Sequence, residues 1–504
     1  MSQARTTTFD QFASGFGFEK FPFNQYSTEN ELQIREKLFY SPSEYSPIIE
    51  AFSSGQTMLI LGNRGTGKTA LLYDIKDKAN ENTLVAWVDD FAALPTPFSS
   101  EDFYKIILKK LVEQLFLRLV IEKKRIKKLG NDEKVLLVYL LKTYFPTISK
   151  TVLVQKIEEV SQFWGIPTLK KIYNFSRDLL NYGVSSAIQL SSDAVRQHFT
   201  SLPAVPKDIV LRSYFPEIKY VAEQPFEEQP VTYDFIVRCL NLITRLGYSR
   251  FTLILDKIDE DSRLVNDAEE IANFIQPVLT DNKLLLNQEL QLIVSLWNIP
   301  FSFLADQVRS QKHFTSYTKW ERDDLEGALN KRIDTFSNGI VSDYREIFDD
   351  HVTDNDFAGI FRLANGNPRD LWHILKYIFH AQYKNNNQMK LSVVAIIQGL
   401  SEFVREFNYY EYYPRKVGSR ENSLDVYSYV RHLLRLGKKE FTRSAFQEAT
   451  GVSGGSVNNY FGQMQRMGLI IEFDRKGTSR IYKIVDPKIE YAIDNGVNIS
   501  RVTT

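Results

Sequence analysis

LILGNRGTGKTALL, residues 59–72, places Gly62, Gly67, Lys68 and Thr69 at the spacing G-x-x-x-x-G-K-[ST]. An apolar run, Met58–Leu61, enters the turn and a helical pattern leaves it. Phosphate chemistry needs this arrangement. Small residues let successive backbone N–H groups of Gly62, Asn63, Arg64, Gly65, Thr66 and Gly67 wrap an anion, and the helix that begins at Lys68, Thr69 and Ala70 adds the positive end of its dipole. Lys68 supplies a point charge for the outer phosphates, and Thr69 a hydroxyl for Mg²⁺.

Working outward, a second tract, FTLILDKIDED, ends an apolar strand in Asp256, with Asp259 and Glu260 following. A carboxylate at the C-terminal end of a parallel strand shares a sheet edge with the glycine-rich turn, so Asp256 and Thr69 are the expected Mg²⁺ residues. Lys257 stands where many ATPases carry a glutamate base. Asp259 or Glu260 is then left to orient the attacking water. Further strands are expected at Leu84–Val88, which ends in Asp89–Asp90, and near Leu290–Leu296, which leads to Asn298. Apolar strands alternating with helices, such as Tyr233–Leu246, imply a parallel sheet covered on both faces.

The D-x-hydrophobic-D-E pattern of Asp256–Glu260 resembles that of STAND-type ATPases, signal-transducing relatives of AAA+ proteins. ANGNPRDLWHIL, residues 364–375, resembles the sensor-2 region of STAND and origin-recognition or helicase-loader AAA+ ATPases, and FYSPSEYSPIIEAFSSGQ resembles an adenine-facing segment. The likeness covers about residues 35–90, 230–385 and the C-terminal unit. It implies ATP with Mg²⁺, hydrolysis, homo-oligomers and, for many bacterial members, a part in defence. It implies that Arg369, in the first turn after Pro368, contacts the γ-phosphate. Asn298 either stands in for the arginine that STAND proteins often carry nearby, or that function is missing. Tyr40 and Tyr45 are the candidates to stack on adenine; Arg245, Arg250 and Arg309 are candidate arginine fingers.

The expected fold class is an α/β P-loop NTPase core with a helical insertion, an all-α lid and a C-terminal winged-helix domain. The expected division is an arm at 1–42 packed on the next domain, a core at 43–300 with its insertion at about 101–230, and a lid at 301–410 with no further strand after Pro300. A linker at 411–423, a winged helix at 424–490 and a tail at 491–504 follow. The lid helices are expected at Asp323–Phe336, Asp356–Leu363 and Pro368–Gln382. The last unit reads as helices Leu424–Leu436, Arg443–Thr450 and Ser456–Met467, with a turn at Gly451–Gly455, then two strands around a polar tip. Phe441, Phe446, Val457, Tyr460, Phe461, Met464 and Leu469 are its expected core. Asn458, Asn459, Gln463 and Arg466 on its second helix and Arg475, Lys476 and Arg480 on the wing are candidate DNA contacts, with a protein partner as the alternative. The KKRIKK run, Lys123–Lys128, reads as the charged face of an amphipathic helix.

Composition bounds the rest. The 504 residues balance 62 Lys+Arg against 62 Asp+Glu, which excludes a globally basic nucleic-acid binder but not a local patch. One cysteine, Cys239, excludes an intramolecular disulfide framework and a multi-cysteine metal site, and the six histidines form no HExxH pair. No apolar run approaches the roughly 18–20 residues of a membrane span. The start, MSQARTTTFD, has no apolar signal-peptide core, so the expected location is the cytoplasm.

Overall fold

The computed structural model describes residues 8–130, five positions between 133 and 144, 231–386, 388–416, 424–452, 454–477 and 479–502. Most of the expected insertion, and the TSLPAVPKDIV break, lie outside the described residues.

Five strands form one sheet in the order β2-β3-β4-β1-β5. They are β1 (Met58–Gly62), β2 (Thr83–Val88), β3 (Arg250–Leu255), β4 (Leu290–Trp297) and β5 (Phe314–Tyr317), each parallel to its neighbours. β1 and β4 are buried throughout and β3 is buried after Arg250, as expected of strands with helices on both faces. β1 and β3 flank β4, in registers that pair Gly62 with Trp297 and Leu255 with Val294. The glycine-rich turn, Asp256 and Asn298 therefore emerge at one sheet edge.

β5 corrects the expectation that strands stop at Pro300. It pairs only with β1, and of its four residues Ser316 alone is buried. An edge strand exposed on one side shows no apolar run. After it come the helices Arg322–Ser337, Asp354–Ala364, Pro368–Asn385 and Val393–Glu406. The third begins at Pro368 with Asn367 as its cap, the side chain accepting from the Arg369 N–H.

The N-terminal arm is not packed simply on the next domain. Phe9, Phe12, Phe16, Phe18, Phe21 and Phe23 form an aromatic cluster with Phe379, Tyr383, His380 and Trp372 of the helix Pro368–Asn385. The chain then turns back towards the sheet, where Arg35 pairs with Asp77 and Glu29 with Lys257. Six phenylalanines in fifteen residues hold too much apolar area to remain in water; each full burial is worth about 1.5–3 kcal/mol.

In the last unit, the helix Val426–Leu436 leads to β6 (Glu440–Thr442), helices Arg443–Thr450 and Gly454–Met467, and the hairpin β7 (Ile470–Lys476) and β8 (Ser479–Ile484). The antiparallel sheet has the order β6-β8-β7. Gly454 and Gly455, expected in the turn, begin the helix instead. Phe441, Phe446, Val457, Phe461, Met464 and Leu469 are buried, and Tyr460 is half-buried on Tyr429. The described part of the expected linker is not loose: Tyr412 and Tyr413 are buried, as is Tyr409 just before it. The helix Pro487–Asn495 runs across the expected boundary at 490 and packs on Val393–Glu406.

Candidate functional site

Gly65 and Gly67 adopt left-handed backbone, φ 84° and 81°. That conformation turns the chain from β1 into the helix Lys68–Asp77 within a few residues. Lys68 Nζ donates to the Gly62 and Asn63 carbonyls at 3.0 and 2.9 Å. Its burial lowers its pKa, against the pull of Asp259 and Asp256. Thr69 Oγ1 donates to Asp256 Oδ2 at 2.8 Å, so the two expected Mg²⁺ residues are in contact. Burial pushes the Asp256 carboxyl up, partly offset by Thr69 and Lys68.

Asp259 is committed elsewhere. Arg64 donates through Nε to Asp259 Oδ2 at 2.5 Å and through Nη2 to the Asp259 carbonyl at 2.7 Å, with its guanidinium 4.4 Å over the Trp297 ring. Burial works to raise the Asp259 pKa, but Arg64 and Lys68 hold it below the usual carboxylate range. Glu260, at the cavity rim, is pushed up by desolvation and then by Asp259. Of the two acids, Asp259 fixes the loop arginine, while Glu260 is the one whose carboxyl is raised. Asn298 caps no strand: it opens a short helix, Asn298–Ser302, and its Oδ1 is buried without a hydrogen-bond partner.

The helical layer closes on this edge. Asn367 Nδ2 donates to the Arg64 carbonyl at 2.8 Å, and Trp320 Nε1 to the Thr66 carbonyl at 2.8 Å. Arg369 faces the same cavity, 3.9 Å from Glu411. A side chain on Gly65 has no room, since its Cβ would lie 2.6 Å from Asn367 Oδ1 and 2.9 Å from Arg369 Cβ. Gly65→Ala is thus expected to lower stability by more than the ~1–2 kcal/mol of left-handed strain alone, read as a lower thermal midpoint. Gly65 is an unspecified position of the sequence motif; the left-handed backbone and the close approach of Asn367 and Arg369 are what ask for glycine there.

These groups line a cavity of about 670 Å³, within the range of small-molecule sites. Lys68, Thr69, Asp256, Lys257, Asp259 and Glu260 line it from the sheet edge and Arg369 from the helical layer, with Tyr40, Trp320 and Trp372 among the aromatic lining. Tyr40 packs 6.2 Å from Trp320, centroid to centroid, whereas Tyr45 is bonded to Asp74 and Lys78 outside the cavity. Among the described residues, no cluster of three or more His, Cys, Asp or Glu could hold a metal. A Mg²⁺ site of one hydroxyl and one carboxylate suits that ion, which keeps several waters and phosphate oxygens.

The segment entering the last unit also reaches the loop, a feature with no sequence signal beyond its tyrosines. The Tyr412 hydroxyl accepts from Asn63 Nδ2 at 2.8 Å and Asn365 Nδ2 at 3.1 Å, and Arg64 Nη1 donates to the Tyr410 carbonyl at 3.1 Å.

The remaining expected residues are dispersed. Asp89 and Asp90 are exposed; Arg250 is tied to the Phe52 and Ser53 carbonyls at the far sheet edge, and Arg245 and Arg309 are exposed. Residues 123–128 are a 3₁₀ turn rather than a helix face, with Arg125 stacked 4.4 Å over Tyr248. Asn458, Asn459 and Arg466 are exposed on the helix Gly454–Met467, with Asn458 accepting from Arg443 at 2.7 Å; Gln463 is half-buried. On the β7–β8 hairpin, Arg475 and Arg480 both engage Glu472, at 2.9 and 3.0 Å, and Lys476 pairs through its backbone with Ser479.

No family model matches the chain, and no curated protein sequence does. Among solved structures, a Walker-type ATPase of Pyrococcus abyssi is similar at 13% identity and a TM-score of 0.39, over 94% of this chain and 96% of its own. The Aeropyrum pernix ORC2 protein in ADPNP–ADP complexes is similar at 12% identity and a TM-score of 0.38, over 92% and 97%. Its ADP form gives 12% and 0.33, over 96% and 98%. Likeness at this level is loose. The α/β P-loop NTPase core is assigned by the parallel sheet and the glycine-rich loop at its edge. Among the described residues no helix is long and apolar enough to cross a membrane.

Proposed function

We propose that this chain is an ATP-binding, ATP-hydrolysing switch of the STAND/AAA+ kind, in which a lid and a winged helix follow the nucleotide. The observation that carries the reading is the meeting of three segments at one loop. Asn63, Arg64 and Thr66 are hydrogen-bonded, respectively, by Tyr412 from the segment entering the last unit, by Asn367 at the start of Arg369's helix, and by Trp320 after β5. A change of phosphate charge there acts on all three.

Lys68 and the loop N–H groups would bind the phosphates, and Arg369 would meet the terminal one. Bound Mg²⁺, held through Thr69 and Asp256, would neutralise charge on the phosphate oxygens. Tyr40 and Trp320 offer aromatic faces for the base. Glu260 would accept the proton of the attacking water, while Asp259 keeps Arg64 and the loop in place. Glu260→Gln is then expected to lower kcat by about 10²-fold or more with nucleotide affinity retained. Because a base must be deprotonated and Glu260 is raised above the ordinary glutamate value of 4.5, the acid limb of kcat/KM should lie above that value. A pH profile of the wild type checks it.

The test of the whole reading is Mg²⁺-ATP hydrolysis by wild type and Asp256→Ala, with and without duplex DNA at low and moderate salt. Turnover indifferent to DNA supports a switch awaiting a protein partner or its own copies. That outcome is favoured by the partly neutralised wing, where Glu472 holds both arginines, and by exposed Ile471 and Phe473 on β7. The second reading, a DNA-associated loader or remodelling ATPase, rests on exposed Asn458, Asn459 and Arg466. It requires DNA-stimulated turnover that falls steeply with salt.

A further inference from the structure

Lys257 carries a backbone conformation that lysine rarely adopts, φ 58° and ψ 28°, directly after the buried Asp256. The residues that follow explain the turn: Ile258 is fully buried in the core and Asp259 is taken by Arg64. With both neighbours fixed, the left-handed turn leaves the Lys257 side chain in the cavity that holds Lys68, Thr69 and Arg369. Strained, non-glycine backbone at a ligand site points to a function for that side chain.

Its partner comes from the N-terminal arm. Lys257 Nζ lies 2.6 Å from Glu29 Oε1, and Glu29 lines the same cavity. The arm is bound to the helical layer on both sides of Glu29: before it by the phenylalanines and by the Pro22 carbonyl, which accepts from buried Arg332 of the helix Arg322–Ser337, and after it by Glu31, which pairs with the same arginine. The arm is therefore a strap from the helical layer to the sheet edge, and Lys257–Glu29 is an attachment at the cavity itself. Arg64 and Arg369 differ from it. Arg64 is held by a residue of the sheet edge and by stacking, and Arg369 sits on the helical layer.

We propose that Lys257 is a specificity-determining cation that reads the terminal phosphate of a nucleoside triphosphate, exchanging Glu29 for it and releasing the strap. The inference deepens the proposed ATP site and rests on it. A compact ammonium on a four-carbon stem can change partners by rotation alone, and a γ-phosphate carries more charge than one carboxylate. A diphosphate has no group in that place, so ADP leaves the Glu29 pair intact. At this position a cation supplies discrimination, where a carboxylate would supply a base.

The test measures ATP and ADP binding by calorimetry with Mg²⁺, for wild type, Lys257→Met, Glu29→Gln and, as the site control, Lys68→Ala. Trypsin cleavage within the arm, after Lys20, Arg35 or Lys37, is followed alongside. Lys257→Met is expected to weaken ATP about tenfold, the equivalent of ~1.4 kcal/mol, and to leave ADP nearly unchanged. Glu29→Gln is expected to strengthen ATP binding, because the competing carboxylate is gone, and to expose the arm to trypsin without nucleotide. In wild type, ATP but not ADP should expose the arm. Equal losses of ATP and ADP in Lys257→Met, or weakening by both variants, overturn the inference while the site stands. A wild type that binds neither nucleotide overturns the site and this inference together. Thermal midpoints of both variants close to wild type identify the effects as binding effects.

Discussion

Lys488→Ala is expected to destabilise the C-terminal unit by about 3–5 kcal/mol, the cost of leaving a buried charge without its partner. Lys488 has no exposed surface, and its Nζ lies 2.8 Å from Asp370 Oδ2 and over the Phe407 and Tyr412 rings at 4.5 and 4.8 Å. Burial favours its neutral form, but Asp370 and then Asp486 outweigh it and raise the pKa. Asp486 is itself anchored, accepting from Tyr413 at 2.7 Å and from the Lys488 N–H at 2.7 Å. Removing the lysine strands Asp370, whose carboxyl burial already pushes up. A second variant separates charge from volume. Lys488→Met with Asp370→Leu removes both charges at similar size, and should recover much of the loss. A chain of this length need not unfold in one step. The readout is therefore the urea midpoint of the transition that carries the C-terminal unit, followed by proteolysis between 424 and 502. A single variant as stable as wild type would show that the pair contributes nothing. Asp370 follows Arg369 in the first turn of its helix, so the same pair ties the C-terminal unit to the helix that brings Arg369 to the cavity.

That pair is not legible in the sequence. Asp370 and Lys488 are separated by the rest of the helical layer and nearly all of the last unit, and each sits in the first turn of a helix, where a charged residue is ordinarily solvated. Arg64 and Asp259, 195 positions apart, pose the same problem. In each case the burial that makes the pair matter exists only once distant segments meet. Local geometry was legible. The loop Gly62–Thr69 is a few consecutive residues whose spacing is itself the chemistry, and β1 and β4 are buried throughout and mostly apolar because both sheet faces are covered. β5 is not legible because it lies at an edge with only Ser316 buried, and the arm's second contact, with the helix Pro368–Asn385, is not legible because phenylalanines signal burial without naming a partner. The tyrosines of 409–413 gave a related warning. Their density is poor material for a free linker, and the structure uses Tyr412 to hold Asn63.

Asp256→Ala is expected to reduce Mg²⁺-dependent turnover by at least about 10²–10³-fold, a barrier increase of roughly 2.7–4 kcal/mol, while ATP remains bound. The asymmetry follows from what Asp256 touches. It lies buried at the end of β3 and accepts from Thr69 at 2.8 Å, so it serves the hydroxyl and the metal position rather than the phosphate cradle. The cradle's own groups are the loop N–H donors and Lys68. Lys68→Ala is expected to fail earlier, at tight nucleotide binding. The two variants should therefore separate in a single experiment that reports binding and hydrolysis side by side. Asp256→Ala also removes a carboxyl that burial disfavours in its charged form, so its fold should hold and its thermal midpoint should match wild type or exceed it. Asp256→Asn keeps the shape and an acceptor for Thr69 but not the charge. If turnover is lost in Asn as in Ala, the charge is what matters, as a metal position requires. If Asn restores it, the role of Asp256 is to orient Thr69, and the Mg²⁺ assignment fails.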